Sequence, residues 1–303
     1  MRWLVPEAEH MSEGTLGCQG CGGALSMRLV LKEVGRDAVG VVPACCWSII
    51  DGPWPTHALD IPILHTAFET AAVVAAGVKA AKTVQGKDTT VIAWAGDGGT
   101  FDIGLQALSG AAERNEDILF ICYDNEAYMN TGIQRSSSTP TGTWTTTTPD
   151  QRPEARPKKD IMGIIAAHRI PYAATATAAY PEDLERKVRT AVQTKGGMRF
   201  LHLLSVCPPG WKMEAYQAIE VMRRAVRSKV FPLYEIHDGR EYTITHWPDD
   251  LALEDYFELQ GRFKSLLKDP EMLEMVKGNV EERWQTLLGR HRRSHPEEVI
   301  PAL

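Results

Sequence analysis

No run of apolar residues in this sequence reaches the ~18–20 positions that a membrane-spanning helix requires. There is no basic excess either. Lys and Arg total 33 against 39 Asp and Glu, for a formal net charge of −6. That balance offers no electrostatic footprint for nucleic acid, and its mild acidity singles out no partner. The N-terminal stretch Met1–Gly14 has one early Arg but no apolar core leading to a small-residue cleavage site. It does not read as a secretory signal, so the expected compartment is the cytoplasm. Cysteine is scarce, six in 303 residues. In a large chain in a reducing compartment, six thiols point to metal ligands or buried side chains before disulfides. There is no internal repeat.

What is present is ordinary for a folded protein, 44% hydrophobic and 24% charged, in a length that allows one large domain or two smaller ones. Ala38–Val42, Thr90–Ala95, Ile118–Tyr123 and Phe200–Leu204 are short, nearly continuous apolar runs rich in β-branched or aromatic residues. They read as buried parallel strands. Gly22–Gly35, Ala67–Thr83, Asp102–Asn115, Ile161–His168 and Pro181–Gln193 carry helical spacing. The alternation predicts an α/β fold, three layers with a mostly parallel sheet and right-handed crossovers. Thr131–Pro157 is dominated by Ser, Thr, Pro and Gly. It is too long for an ordinary connection and reads as a functional loop. From about Ile219 the pattern turns helical and charged, and Gly289–Leu303 is polar and Pro-containing. The expected division is residues 1–218 as an α/β domain and 219–303 as a C-terminal helical extension, packing on that domain or on a partner chain.

The most informative stretch runs from Val91 to Gly132. A strand leads directly into Gly96-Asp97-Gly98-Gly99, a helical pattern follows, and the next strand ends in Asp124-Asn125. Glycines let the backbone turn sharply and approach a ligand, and a following helix directs free N–H groups at an anion such as phosphate. Asp97 offers a hard carboxylate oxygen. Asn125 offers an amide oxygen at the end of the neighbouring strand. Mg²⁺ prefers such oxygens, completed by phosphate and water. Carboxyl ends of parallel strands are where open α/β sheets hold ligands. A Gly-Asp-Gly triplet alone reads as a strand–helix turn; its pairing with an Asn after the next strand points to a metal–diphosphate site.

Cys18-Gln-Gly-Cys21, Cys45-Cys46 and Cys207 stand in three segments, the latter two after predicted strands. Four sulfurs from these segments could enclose one site. Thiolates suit Zn²⁺ or an iron–sulfur cluster equally on grounds of softness, so spacing does not choose between them. Scattered buried cysteines are the plainer alternative. Cys122, within a predicted core strand, reads as packing.

Several of these segments resemble the β-type, thiamine diphosphate-binding subunit or domain of the pyruvate (2-oxoacid):ferredoxin oxidoreductase family. They are Cys18-Gln-Gly-Cys21-Gly, Leu64–Ala72, Gly96–Gly110, Cys122–Gly132 and Cys207-Pro-Pro-Gly-Trp211. The likeness extends from about Gly17 to Phe263. It implies a thiamine diphosphate held at Gly96, Asp97, Gly98, Asn125, Ala127, Asn130 and Thr131. Asp97, the Asn125 amide and the Ala127 carbonyl would bind Mg²⁺, and Asn130 would stand near the reactive carbon and substrate. It also implies a [4Fe–4S] cluster on Cys18, Cys21, Cys46 and Cys207. Cys46 is preferred to Cys45 because the family has a Pro seven residues after that ligand, here Pro53; Cys45 then takes a position usually held by Gly.

The activity implied is oxidative decarboxylation of a 2-oxoacid, with electrons passing through the cluster to ferredoxin. Pyruvate leads. Gly23, Trp47 and Ser48 stand where many pyruvate enzymes have Glu, Leu and Glu, which leaves room for oxalate, an aryl glyoxylate or a branched-chain 2-oxoacid. In the family the carboxylate at the pyrimidine ring comes from another domain or subunit. The chain is therefore expected to act with an α-type subunit, and with γ and ferredoxin-like δ chains, with coenzyme A a further cosubstrate. His65 and Glu69 are placed at the start of a helix following Ile61–Leu64, with structural and functional roles evenly balanced. Two other readings remain open: a thiamine-dependent decarboxylase or carboligase without redox activity, and a zinc-stapled scaffold.

Overall fold

The computed structural model describes residues 5–249 and 251–301. Residues 1–4, 250, 302 and 303 lie outside that range, and with them the first four residues of Met1–Gly14 and the last two of Gly289–Leu303. In chain order the elements are α1 (Gly22–Val34), β1 (Ala38–Pro43), α2 (Trp47–Ile50), β2 (Ile63–Thr66), α3 (Ala71–Val84), β3 (Thr90–Gly96), α4 (Leu105–Glu113), β4 (Leu119–Asp124), α5 (Ile161–Ala167), β5 (Tyr172–Thr177), α6 (Pro181–Gln193), β6 (Arg199–Leu204), α7 (Pro208–Trp211), α8 (Ala218–Arg227), β7 (Leu233–His237), β8 (Glu241–His246), α9 (Leu253–Phe257) and α10 (Pro270–Ser294).

The strands form one eight-stranded sheet in the order β2-β1-β3-β4-β6-β5-β7-β8. The first six in this order pair in parallel; β7 and β8 are antiparallel additions at one edge. β3, β4, β5 and β6 are buried at every position, because helices cover both faces. That is why these strands read as continuous apolar runs rather than alternating ones. On one face α1, α6 and α8 pack through Met27, Val30, Leu31, Leu184, Val188, Val221 and Met222. On the other, α3, α4, α5 and α10 pack through Ala72, Ala75, Leu108, Ile165, Trp284 and Leu288. The expected three-layer, mostly parallel α/β architecture is the one observed.

The helical reading of residues 219–303 misses the β7–β8 hairpin. Its turn is Asp238-Gly239, both with positive φ (50° and 65°). Asp-Gly between alternating apolar residues is a strong hairpin signal, and Tyr234/Ile236 and Tyr242/Ile244 flank the three-residue connection Asp238-Gly239-Arg240. The hairpin continues the main sheet. The tail beginning at Gly289 starts as the end of α10, a 25-residue helix that lies on β8 and buries Trp284 and His291. His65 is on β2 and Glu69 precedes α3, because the chain stays extended alongside β1 through Thr66.

Candidate functional site

Four adjacent parallel strands, β1, β3, β4 and β6, deliver Cys46, Asp97, Asn125 and Cys207 from their carboxyl ends. Cys46 begins α2, and Asp97 stands at the head of a π-type turn, Gly98–Asp102, that leads toward α4. Gly98 has to be glycine: a Cβ there would lie 2.1 Å from the Tyr128 ring. The Cys18–Cys21 turn precedes α1 and is pinned to the segment before Cys207, with Gly22 N donating to Val206 O at 2.9 Å. A Cβ on Gly22 would lie 2.6 Å from Val206 N. These close approaches bring together cysteines nearly two hundred positions apart in sequence.

Two adjoining cavities result. The first, about 170 Å³, is lined by Gly96, Asp97, Gly98, Asn125, Ala127 and Asn130, among others including Cys45, Phe68 and Thr131. The second, about 310 Å³, is lined by Cys18, Cys21, Cys46 and Cys207 together with Leu16, Ile49 and Asn130. Cys46, Tyr123, Asn125, Met129 and Asn130 belong to both walls. Cys45 faces only the first. Cys122 is fully buried in β4. His65 and Glu69 line neither cavity.

In the first cavity the end of the Asn125 side chain approaches two oxygens. With its nitrogen turned inward, the amide donates to Ala127 O at 2.8 Å and to Asp97 Oδ1 at 3.0 Å. With its oxygen inward, three oxygens face one another at those separations. That arrangement is repulsive unless a cation lies among them. Octahedral Mg²⁺ with ligands at 2.0–2.1 Å places neighbouring oxygens about 2.9 Å apart, so the donor set and its spacing fit this ion. Asp97 is buried, and burial first, then the charge of Asp124, holds its carboxyl well above the usual carboxylate range. A cation would reverse that preference.

A charged scaffold lies behind these ligands. Asp124 accepts from Ser138 Oγ at 2.6–2.7 Å, Lys158 Nζ at 2.6 Å and His202 Nε2 at 2.7 Å. Burial alone would raise its carboxyl, but Lys158 and then His202 hold it below the usual range. Lys158 also reaches Glu126 at 3.0 Å. Glu126 sits between Asn125 and Ala127 with φ 67°, and Arg262 donates to its Oε2 at 2.6 Å. The Ser/Thr loop supplies the remaining donors: Ser136 to Asp97 Oδ2 at 2.5 Å, Ser137 N to Asp102 at 3.0 Å and Thr139 to Glu126 O at 2.7 Å. The loop therefore braces the site from beneath. Sequence reasoning missed Ser136, Ser138, Lys158, His202 and Arg262, whose local contexts carry no motif.

Four thiols line the second cavity. Burial pushes Cys46 up to about 12 and Cys207 up to about 11 and raises Cys21, with neighbouring sulfurs adding to the effect. Thiolates here need a compensating positive charge, which bound metal provides. Among the described residues, no three His, Cys, Asp or Glu side chains are arranged for a single metal ion.

The described helices include none long and apolar enough to cross a membrane. Residues 38–203 match the family described as thiamine pyrophosphate enzyme, C-terminal TPP binding domain. Among curated relatives, ketoisovalerate oxidoreductase subunit VorB of Pyrococcus furiosus is 48% identical over 297 residues, covering 94% of each chain. Pyruvate synthase subunit PorB of Methanothermobacter thermautotrophicus is 47% identical over 270 residues, covering 88% of this chain and 93% of that one. Among solved structures, a chain of the 2-oxoglutarate:ferredoxin oxidoreductase from Magnetococcus marinus superposes with a TM-score of 0.61 at 20% identity. That alignment covers 84% of this chain and 91% of that one, and carries the fold alone. The chain belongs to the thiamine pyrophosphate-binding family and, within it, to the VorB/PorB-type subunits of the 2-oxoacid:ferredoxin oxidoreductases.

Proposed function

We propose that the first cavity holds the diphosphate end of thiamine diphosphate with Mg²⁺, and the second a [4Fe–4S] cluster. The shared wall carries this reading: Cys46, Tyr123, Asn125, Met129 and Asn130 face both cavities. A reacting centre and a one-electron acceptor on two sides of the same residues need no mobile carrier between them.

Thiamine diphosphate supplies the carbanion chemistry by which a 2-oxoacid loses CO₂. This chain supplies position and charge. Asp97, the Asn125 amide and the Ala127 carbonyl hold the metal, while Gly96 and Gly98 leave room for the diphosphate. Asn130 and Thr131 stand on the cavity wall where a substrate polar group is hydrogen-bonded. Cys18, Cys21, Cys46 and Cys207 ligate the cluster; Cys21, Cys46 and Cys207 are half-buried and Cys18 is exposed.

The substrate is a 2-oxoacid with an uncharged side chain, pyruvate or a branched-chain acid such as ketoisovalerate. Among the described residues, neither cavity wall contains Lys, Arg or His to pair with a second carboxylate. The partners are an α-type subunit bearing the pyrimidine-side carboxylate, γ and ferredoxin-like δ chains, ferredoxin, and coenzyme A as acyl acceptor. The complex works in the cytoplasm. All candidate ligands fall within residues 1–218, and residues 219–303 pack on that unit and its partners and bring Arg262 to Glu126.

The test is the native complex purified without oxygen, assayed for thiamine diphosphate, Mg²⁺, iron and sulfide. It is then given pyruvate, ketoisovalerate, oxalate and 2-oxoglutarate, each with and without coenzyme A, and viologen reduction is followed. The expected result is four iron and four sulfide per copy of this chain from its own cluster, above any carried by other subunits, with reduction by pyruvate or ketoisovalerate. Thiamine diphosphate without iron on this chain would replace the reading with a non-redox decarboxylase or carboligase.

A further inference from the structure

Arg262 comes from the short turn Gly261–Phe263, far along the chain from every candidate ligand, and it is 1% exposed. Its guanidinium lies between the two ligand-bearing turns. Toward the metal turn, it donates to Glu126 Oε2 at 2.6 Å, and Glu126 is the residue between Asn125 and Ala127. Toward the cysteine turn, its Cζ stands 3.5 Å from the centre of the Trp211 ring. Trp211 N donates to Cys207 O at 2.8 Å, and its Nε1 donates to Asn125 O at 2.8 Å. Nε of Arg262 donates to Gln260 Oε1 at 3.0 Å, and its carbonyl accepts from Trp144 N at 2.8 Å. The remaining terminal nitrogen is buried without a hydrogen-bond partner.

An apolar side chain would fill the space against Trp211 and Phe263 without the cost of burying a charge. The guanidinium kept there, paired with Glu126, fixes a buried charge beside the cysteine turn. The charge stands against the cysteine turn, stacked on Trp211, whose backbone N–H donates to Cys207 O. Net charge and the surrounding polar groups are among the main determinants of an iron–sulfur reduction potential. Adding an electron makes the cluster more negative, so a fixed buried cation favours the reduced form and a fixed buried anion opposes it. Arg262 and Glu126 are such a pair.

We propose that Arg262 is a positioning residue that joins the turn carrying Asn125 and Ala127 to the turn carrying Cys207, and whose buried charge sets the reduction potential of the cluster. The inference rests on the cluster assignment made above. Its members act with opposite signs. Arg262→Met keeps the packing on Trp211 and removes the cation, so the potential falls. Glu126→Gln removes the anion, so the potential rises. Arg262→Lys keeps the charge and stays near the parent value.

The experiment is a redox titration of the cluster signal by electron paramagnetic resonance in the anaerobically purified complex, with iron content measured in each variant. The expected shift is about tenfold in the reduction equilibrium for each charge removed, about 59 mV for a one-electron couple. Absence of iron from this chain in the parent complex overturns the cluster assignment and this inference with it. Full iron with both variants shifted in the same direction, or neither shifted, overturns this inference alone. Should Arg262→Met fail to assemble, Glu126→Gln and Arg262→Lys decide. A rise in the first with a near-parent value in the second supports the assignment, and any other pattern overturns it.

Discussion

The side chain of Asn125 shows how much one residue can carry. Its amide can turn either way: nitrogen inward it hydrogen-bonds Asp97 and Ala127, oxygen inward it completes a set of three oxygens. A cation among those oxygens would favour the second orientation. The cysteines divide in a similar way. Cys18, Cys21, Cys46 and Cys207 share one cavity, Cys45 faces the other, and Cys122 packs in the core. Replacing each by Ser is therefore expected to give two classes. Substitution at the first four lowers the iron bound to this chain and the broad visible absorption of the complex. Cys45→Ser and Cys122→Ser leave both near the parent level. Loss of iron in Cys45→Ser with retention in Cys46→Ser would move the third ligand by one position.

At the scale of elements, the Ser/Thr loop owes its role to where the fold places it. Its composition marks it as functional, yet composition does not say that Ser136, Ser138 and Thr139 reach under the metal turn. Each makes its contact across a sequence distance that no local pattern encodes: Asp97 is 39 positions from Ser136. A hydrogen bond to a charged group contributes roughly 1.5–3 kcal/mol. Ser136→Ala is therefore expected to weaken thiamine diphosphate and Mg²⁺ retention by about ten- to a hundredfold, a factor that follows from that energy. Circular dichroism should stay unchanged, and equilibrium dialysis of the complex measures the retention. Equal retention in parent and variant would reduce the loop to packing.

The helices pose a different problem. On α6, Glu185 is buried against α1, and burial first, then the nearby Glu33 charge, raises its carboxyl from about 4.5 to about 7. Between those values the folded state holds a proton that the unfolded state has released, so stability falls as pH rises from about 4.5 to about 7. Glu185→Gln removes that dependence. It should melt higher than the parent at pH 7.5 and nearly the same at pH 4.5; a constant difference across that range would show that Glu185 is not protonated on folding. The strands of the sheet's centre were legible because both faces are buried and apolar. β5, Tyr-Ala-Ala-Thr-Ala-Thr, was not, since alanine, half of its residues, gives little strand signal and its burial comes from α6, β6 and β7 around it. The β7–β8 hairpin had its Asp-Gly signal and was hidden by the charged helices on either side. Of the site, the ligands at strand ends were readable from motif and spacing; the charges bracing them were not, because Lys158, His202 and Arg262 converge only through the fold.

At the scale of the whole molecule, the two cavities open where the chain leaves apolar side chains exposed. Leu16 and Ile49 line the cysteine cavity yet are 63% and 54% exposed, and Trp54, nearby in sequence, is 83% exposed. Single exposed apolar residues are unremarkable, but these border a site that needs to be dry for buried electrostatics to act at full strength. Thiamine diphosphate has two ends with different demands. Metal oxygens, glycine turns and a nearby helix suit the diphosphate end, and the stretch from Gly96 to Ala127 contains all three. The pyrimidine end needs a carboxylate beside an apolar slot. Asp97 is the only carboxylate in either cavity wall among the described residues, and it is committed to the metal turn. With half of the cofactor unsupported, the isolated chain should bind it weakly and leave the ring mobile, which removes the orientation on which rate depends. The chain expressed alone, reconstituted with iron, sulfide, Mg²⁺ and thiamine diphosphate, is therefore expected to give no 2-oxoacid-dependent viologen reduction with coenzyme A, and addition of the α-type subunit should restore it. Turnover by the isolated chain at the rate of the complex would mean that the missing carboxylate is its own. Glu69, exposed just before α3 and outside both cavities, would then have to move into the site, and Glu69→Gln would be the variant to abolish that turnover.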